Sequence, residues 1–466
     1  MFLTKKMRDP VPRRLRSALL CAAFGSFVAL GGVHAETLED ALVGAYGSNP
    51  DLEGQRANLR ATDEGVPIAQ AGWLPTIEVA ASYGYQGTRS DFPTTGVTRS
   101  NLHPFGASLT GTQVIFDGQT YYAVRQAKAD VRAGRATLDA VEQNVLLSVV
   151  TAYMDVLRDI AVVDLRRNNV TVLRRQLDAT RDRFNVGELT RTDVSQAEAR
   201  LASAISALTG AEAQLTASRE TYARLVGHQP GTLQPPPPLP ELPKAPEEAL
   251  AVALVENPTL VSARESEVAS RFAIGVAKGS LLPVVSVVGR IGHAEESSSP
   301  FDQSDEKSVV AQVTIPLYQG GAEYARVRRA KQINSQSLVN IVSAERQVRQ
   351  GVANAWQQYL SAKAQVTSDK ESVRANEFAY EGVRQEAQVG SRTTLDVLNA
   401  EQELLNARVS LVSSQRNSYV AGYQLLSAVG RLTAQKLGLP VKLYDPDVYY
   451  KKVRNKLIGW DVGTRD

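Results

Sequence analysis

Thr76-Ile77-Glu78-Val79-Ala80-Ala81-Ser82-Tyr83-Gly84-Tyr85-Gln86 alternates apolar residues with polar or small ones along its whole length. A period of two over about ten residues is the pattern of a strand long enough to cross a bilayer, one face to lipid and the other to water. Phe105 to Phe116 supplies a partner strand, whose alternation slips near Gly111 and predicts a bulge there. A second pair follows, with Val285, Val287, Gly289 and Ile291 on one face and Val309, Ala311, Val313, Ile315 and Leu317 on another. The connections, about 88–104 and 294–307, are polar and read as solvent-exposed loops. Two ordinary hairpins packed on helices are the alternative reading of the same alternation.

Beyond each hairpin the period changes. Residues 120–183 and 322–386 contain no proline, and apolar side chains recur at steps of three and four, as in Val149, Tyr153, Val156, Ile160 and Val163. Such a pattern predicts amphipathic helices of roughly 65 residues, about 95 Å long. A compact domain has no room for them, so they belong to a coiled coil or a helical barrel. Gly187 and Gly390 stand where a left-handed cap would end each long helix. Antiparallel return helices follow over 192–226 and 394–429.

The two hairpin-plus-helix sets form an internal two-fold repeat. Leu38 to Leu52, with Asn49-Pro50, aligns with Pro246 to Leu260, with Asn257-Pro258; Leu74-Pro75 aligns with Leu282-Pro283; Ile115 to Gly118 aligns with Leu317 to Gly320. Val186-Gly187, Asp193-Val194 and Ala197-Glu198 align with Val389-Gly390, Asp396-Val397 and Ala400-Glu401. The organisation is therefore repeat 1 over 36–228 (hairpin 76–116), a connector over 229–246, repeat 2 over 247–434 (hairpin 284–318) and a tail over 435–466 with no repeat partner. Eight of the connector's eighteen residues are proline, which predicts a stiff, extended segment.

Residues 1–35 read as a secretory signal peptide: a basic stretch to Arg16, an apolar run from Ala18 to Leu30, and Val33-His34-Ala35 as the cleavage site. The only cysteine, Cys21, lies inside that run and would leave with it; a lipid-anchored Cys21 is the other reading, against which Leu20 stands just before it. Six of the 52 basic residues also lie in the signal. The remainder carries a slight acidic excess, which argues against a sequence-independent nucleic-acid binder. No later run of ~20 apolar residues predicts a membrane-spanning helix, so any crossing must be a closed barrel. His103, His228 and His293 lack metal-ligand spacing, and no nucleophile, phosphate-binding or metalloprotease motif occurs. The expectation is a protein that is not an enzyme and has no cofactor or bound metal.

Four strands cannot close a membrane barrel, since the smallest have about eight. Two chains would give eight strands and a filled interior, three would give twelve and a lumen. The fold class is thus an α+β membrane protein: two β-hairpins per chain contributed to an oligomeric barrel, plus very long antiparallel helices.

In this order, the duplicated Asn-Pro, the Leu-Pro before each hairpin, Phe116-Asp117-Gly118-Gln119 against Tyr318-Gln319-Gly320-Gly321, Arg183 to Val194 and Val389 to Leu398 resemble the TolC family of outer-membrane export ducts, over essentially the whole chain after the signal. The resemblance implies a homotrimer with a twelve-stranded outer-membrane barrel, a periplasmic α-barrel, contact with outer-membrane lipid, and coupling through a periplasmic adaptor protein to an inner-membrane ABC or proton-driven transporter. Both type I protein secretion and small-molecule efflux use such a duct; the match, together with the reading of Cys21 as unlipidated, favours type I secretion, with efflux as the alternative and a periplasmic coiled-coil adaptor or scaffold as the competing class. The helical hairpin turns would form the periplasmic entrance. Asp193 and Arg392 match the acid and base of the network that keeps it closed, and Asp396 matches a ring of cation-selecting carboxylates. Asn399 replaces a second acidic ring and Ala387 a tyrosine of the closing network, which implies looser gating and weaker selectivity. Thr190-x-x-Asp193 and Thr393-x-x-Asp396 also resemble capping boxes, a structural role that can coexist with the functional one.

Overall fold

The computed structural model describes residues 35–94 and 96–461. The signal peptide and Cys21 lie outside the described residues, apart from Ala35. The first half runs α1 (Leu38–Ser48), α2 (Pro50–Asp63), α3 (Gly65–Gln70), β1 (Thr76–Tyr83), β2 (Gln86–Phe92), β3 (Gly96–Leu102), β4 (Phe105–Phe116), α4 (Gly118–Asn185) and α5 (Arg191–Val226). The second runs α6 (Pro246–Glu256), α7 (Pro258–Gly279), β5 (Val284–Glu295), β6 (Gln303–Thr314), α8 (Ala322–Gln388) and α9 (Thr394–Val429), followed by α10 (Ala434–Leu437) and α11 (Pro446–Val453). At 68 and 67 residues, α4 and α8 are each about 100 Å long. Among the described residues no helix is long and apolar enough to cross a membrane.

The four long strands form one antiparallel sheet in the order β1-β4-β5-β6. Its register places Ile77, Gly111, Gly289 and Val309 side by side, and Val79, Leu109 and Ile291 beside them, on one face. The other face carries Glu78, Thr110, Arg290 and Ser308 in one row, with Ser108 and Glu306 in the next. Neither face is covered within the chain: Ile77, Val79 and Tyr83 are each 75% exposed and Val309 is 80% exposed. The hairpins are therefore not packed on the helices. The apolar band is also oblique. It extends to Tyr83 on β1 but gives way to His293 after Ile291 on β5 and to Lys307 beyond Val309 on β6.

Two sequence expectations are corrected, and the two halves differ in one further respect. The irregularity in β4 lies between Val114 and Phe116, where Ile115 is the extra residue against Val285 and Ser286, while Gly111 pairs regularly with Ile77 and Gly289. A glycine interrupts the apolar alternation without disturbing backbone pairing. The connection 88–104 is not a loop: β2 and β3 pair from Gln86↔Leu102 to Phe92↔Gly96. Most of its residues are exposed, so no buried stripe imposed a pattern on the sequence. Lastly, the repeated Asn-Pro starts lead to unequal helices: the one after Asn49 is divided at Glu64–Gly65, because Pro67 has no N–H for the fourth carbonyl back, whereas its counterpart α7 has no internal proline and is continuous.

Where the two halves meet, Leu38, Leu42, Leu146, Val149, Tyr153, Tyr222, Val226, Tyr423 and Leu426 make the largest buried cluster. The proline-rich connector lies along it. Leu233, Leu239 and Leu242 pack on this core, Tyr153 donates to Gln234 O (2.7 Å) and Tyr419 donates to Pro237 O (2.9 Å). It is thus a strap bound along the core. The tail is tied down too: Asp447 pairs with Arg135 (2.6 Å), Tyr449 donates to Glu64 Oε1 (2.7 Å) and the Tyr444 N–H donates to Tyr46 Oη (3.0 Å). Tyr122 packs against α7 at Gly275, whereas Tyr121 is exposed beneath the sheet with the Arg125 guanidinium over its ring.

Candidate functional site

The turns joining the long helices are built alike. After α4, the Gly187 N–H donates to Phe184 O (3.0 Å) and the Glu188 N–H to Arg183 O (2.9 Å); after α8, the Gly390 N–H donates to Ala387 O (3.2 Å) and the Ser391 N–H to Glu386 O (3.0 Å). Gly187 and Gly390 have φ of +81° and +80°, so both ends are left-handed caps that a side chain would strain. Three residues later the return helix begins with a capping box. Asp193 Oδ2 accepts from Thr190 N (2.9 Å) and Oγ1 (2.7 Å), and Asp396 Oδ2 accepts from Thr393 N (3.0 Å) and Oγ1 (2.8 Å).

These bonds set the charge at the turns. The Thr190 hydroxyl, then its N–H, holds the Asp193 carboxyl below the usual carboxylate range. The Thr393 N–H, then its hydroxyl, does the same for Asp396. Both are anions near neutrality, and the stability that they lend the caps persists above the ordinary carboxylate range and is lost as pH falls through their lowered values.

Within one chain Asp193 and Arg392 are not paired with each other. Arg392 Nε donates to Glu386 Oε2 across its own turn (2.8 Å), and Glu386 raises the guanidinium further. The first turn has the reverse polarity, Arg183 on the helix and Glu188 in the turn (2.9 Å). Asn399 accepts from Arg200 Nη2 (2.8 Å), a link from α5 to α9. Arg200 was not legible in the sequence: its repeat counterpart is Glu403, so the repeat offered no motif. Above the turns, Leu398 packs with Val170, Leu173 and Ala204. The lower parts of the two helical hairpins are therefore joined by Arg200–Asn399 and an apolar contact, while Arg392 is exposed and Asp193 and Asp396 are half-buried. A cluster of three or more metal-ligating side chains does not occur among the described residues.

The family model described as "Outer membrane efflux protein" matches residues 42–228 and 249–431. The chain is 35% identical to "Outer membrane efflux protein BepC" of Brucella suis biovar 1 (strain 1330), over 97% of this chain and 98% of that protein. It is 26% identical to "Outer membrane protein TolC" of Escherichia coli (strain K12), over 91% and 88%. In fold it is similar to the Campylobacter jejuni CmeC outer membrane channel, with a TM-score of 0.78 at 18% identity, covering 90% of this chain and 89% of that one.

Proposed function

This chain belongs to the outer membrane efflux protein family, and from that premise we propose that it is a passive export duct working as a trimer. The observation that carries the reading is the sheet: four bilayer-length strands, apolar on one face and polar on the other, uncovered on both and unpaired at the β1 and β6 edges within the chain. An open edge in a bilayer leaves backbone donors and acceptors without partners, and closure with further copies removes that cost. Three copies give twelve strands with a polar lumen. The long helices carry the duct into the periplasm; on α8, Ile333, Val339, Val342, Leu360 and Phe378 are exposed and would meet a neighbouring copy. The duct does no chemistry, and energy comes from an inner-membrane ABC or proton-driven transporter joined through a periplasmic adaptor. Outer-membrane lipid covers the apolar band, and no nucleic acid takes part.

Around the trimer axis, three copies of Asp396 bring their carboxylates together at the entrance, where charge rings select ions. Asp396→Asn keeps an oxygen to accept from Thr393 while removing the charge. The expected result in a planar bilayer is a reversal potential shifted toward weaker cation preference. An unchanged reversal potential would leave Asp396 with its capping role alone.

The cargo is chosen by the partner. Deleting the chain from its native host, with complementation, separates the routes. Loss of one or a few large proteins from the culture supernatant fits type I secretion; an unchanged supernatant with raised sensitivity to toxic small molecules fits efflux, the activity in the name of the Brucella relative. A monomeric protein without channel activity in bilayers would sink the duct reading itself.

A further inference from the structure

The two helical hairpins carry the same acid and base at the same height, but only one has joined them. Arg181, six residues before Gly187, reaches across to Glu198, eleven after it, with Nη2 2.6 Å from Oε1, and so staples α4 to α5. Arg384 and Glu401 occupy the same places relative to Gly390. There, Arg384 Nη2 turns back to Glu381 Oε1 on its own helix (2.9 Å). Glu381 stands where the first hairpin has Asp178, one methylene shorter and without an ion pair to Arg181. Glu381 also accepts from Gln385 Nε2 (3.0 Å). Glu401, half-buried, is left without a hydrogen bond or ion pair among the described residues.

We propose that Arg384 is a two-position arm, exchanging between Glu381 on α8 and Glu401 on α9, and that this exchange decides whether the second hairpin is stapled as the first one is. The groups around Glu401 leave Arg384 as the cation that can serve it. On α8 it is accompanied by Tyr380, whose hydroxyl is pushed up by burial and next by the Glu401 charge. Arg408 of α9 is bonded to Glu377 (2.8 Å), and Arg200 of α5 to Asn399 (2.8 Å). No charge on α4 contributes: burial alone pushes the Glu401 carboxyl up to about 7.

A raised carboxyl favours the unstapled arrangement while Glu401 is protonated, and that arrangement loses stability as pH rises from the ordinary carboxylate range through about 7. Between pH 6 and pH 8 the ionised fraction of such a group grows about tenfold. Ionised and half-buried, Glu401 then draws Arg384 across. The second hairpin is stapled in neutral to alkaline conditions and released in acid. Resting on the duct reading, the inference makes acid in the periplasm a signal that loosens one of the two hairpins at the entrance.

Spin labels at the exposed Ala379 and Glu403 of the purified full-length protein report the α8–α9 separation, and a second pair across α4–α5 serves as the reference. From pH 6 to pH 8 the α8–α9 distance distribution is expected to narrow about twofold while the reference stays constant. Glu401→Gln and Arg384→Ala should abolish the narrowing, and Glu381→Gln, which frees the arm, should move its midpoint to lower pH. An unchanged wild-type distribution, or a pH response that survives Glu401→Gln, overturns the proposal. These distances do not depend on channel activity, so bilayer recordings that show no conductance would count against the duct and leave the arm standing.

Discussion

Gly279→Val is expected to prevent assembly, reducing the protein recovered from the outer membrane at least tenfold. A Cβ at Gly279 would meet the Gln119 backbone, its nitrogen and its Cα, the latter at 2.6 Å. One added to Gly118 would fall 2.5 Å from Leu282 Cδ1, and one at Gly275 would fall 2.5 Å from Tyr122 Cγ. Here α7 and α4 cross backbone to backbone, beside the points where α7 gives way to β5 and β4 to α4. Backbone atoms cannot rotate aside, so the helices must part and lose the packing that aims both hairpins. Ordinary overpacking costs about 1–3 kcal/mol, and a clash with main chain at this crossing should exceed about 3 kcal/mol. Gly275→Ala is the internal comparison: its new methyl meets the Tyr122 side chain from Cγ outward, and a side chain can shift about χ1 where main chain cannot, so it should be milder. Normal recovery of Gly279→Val would mean that the crossing has slack that the geometry does not suggest.

Asn257→Ala should be one of the two most damaging single changes among the helix caps. Asn257 Oδ1 accepts from the Thr259 and Leu260 N–H groups (3.0 and 3.4 Å), and its Nδ2 donates to Ala428 O (3.0 Å), a carbonyl near the end of α9. Alanine removes the cap, worth about 1 kcal/mol, and leaves the Ala428 carbonyl without this donor, about 1–3 kcal/mol more. A loss of about 2–4 kcal/mol, read as a fall of several degrees in the thermal unfolding midpoint, is expected. Asn49 does the same work in the first half, accepting from Asp51 and Leu52 and donating to Leu225 O (3.0 Å), so Asn49→Ala should match it. Aspartate at 257 would restore the cap acceptor but set a carboxylate against a carbonyl oxygen, and should recover only part of the loss. An Asn257→Ala midpoint within a degree of the parent would show that the end of α9 is held by packing alone.

These asparagines mark how far the sequence could be read. Each Asn-Pro was visible as a repeated helix start, because a cap and a proline at the first helical position act within one turn. The bond back to α5 or α9 was not visible, since its acceptor lies about 170 residues away. The same holds at the candidate entrance. Gly187, Gly390 and the two Thr-x-x-Asp boxes were legible as local devices, whereas the Arg200–Asn399 link and the unequal use of Arg181 and Arg384 were not.

The amino-acid sequence by itself determined the order of elements, the alternating faces of the four long strands, the lengths of the long helices and the positions of their turns. All of these follow from periodicity and capping, which act over a few residues. Only the tertiary structure decided that 86–102 forms a two-stranded hairpin of its own, that the connector and tail are bound straps, that the β4 bulge lies at Ile115, and that Glu401 is left unpaired. Each of those outcomes depends on which distant groups compete for the same donor, acceptor or space, and that competition exists only once the chain has folded.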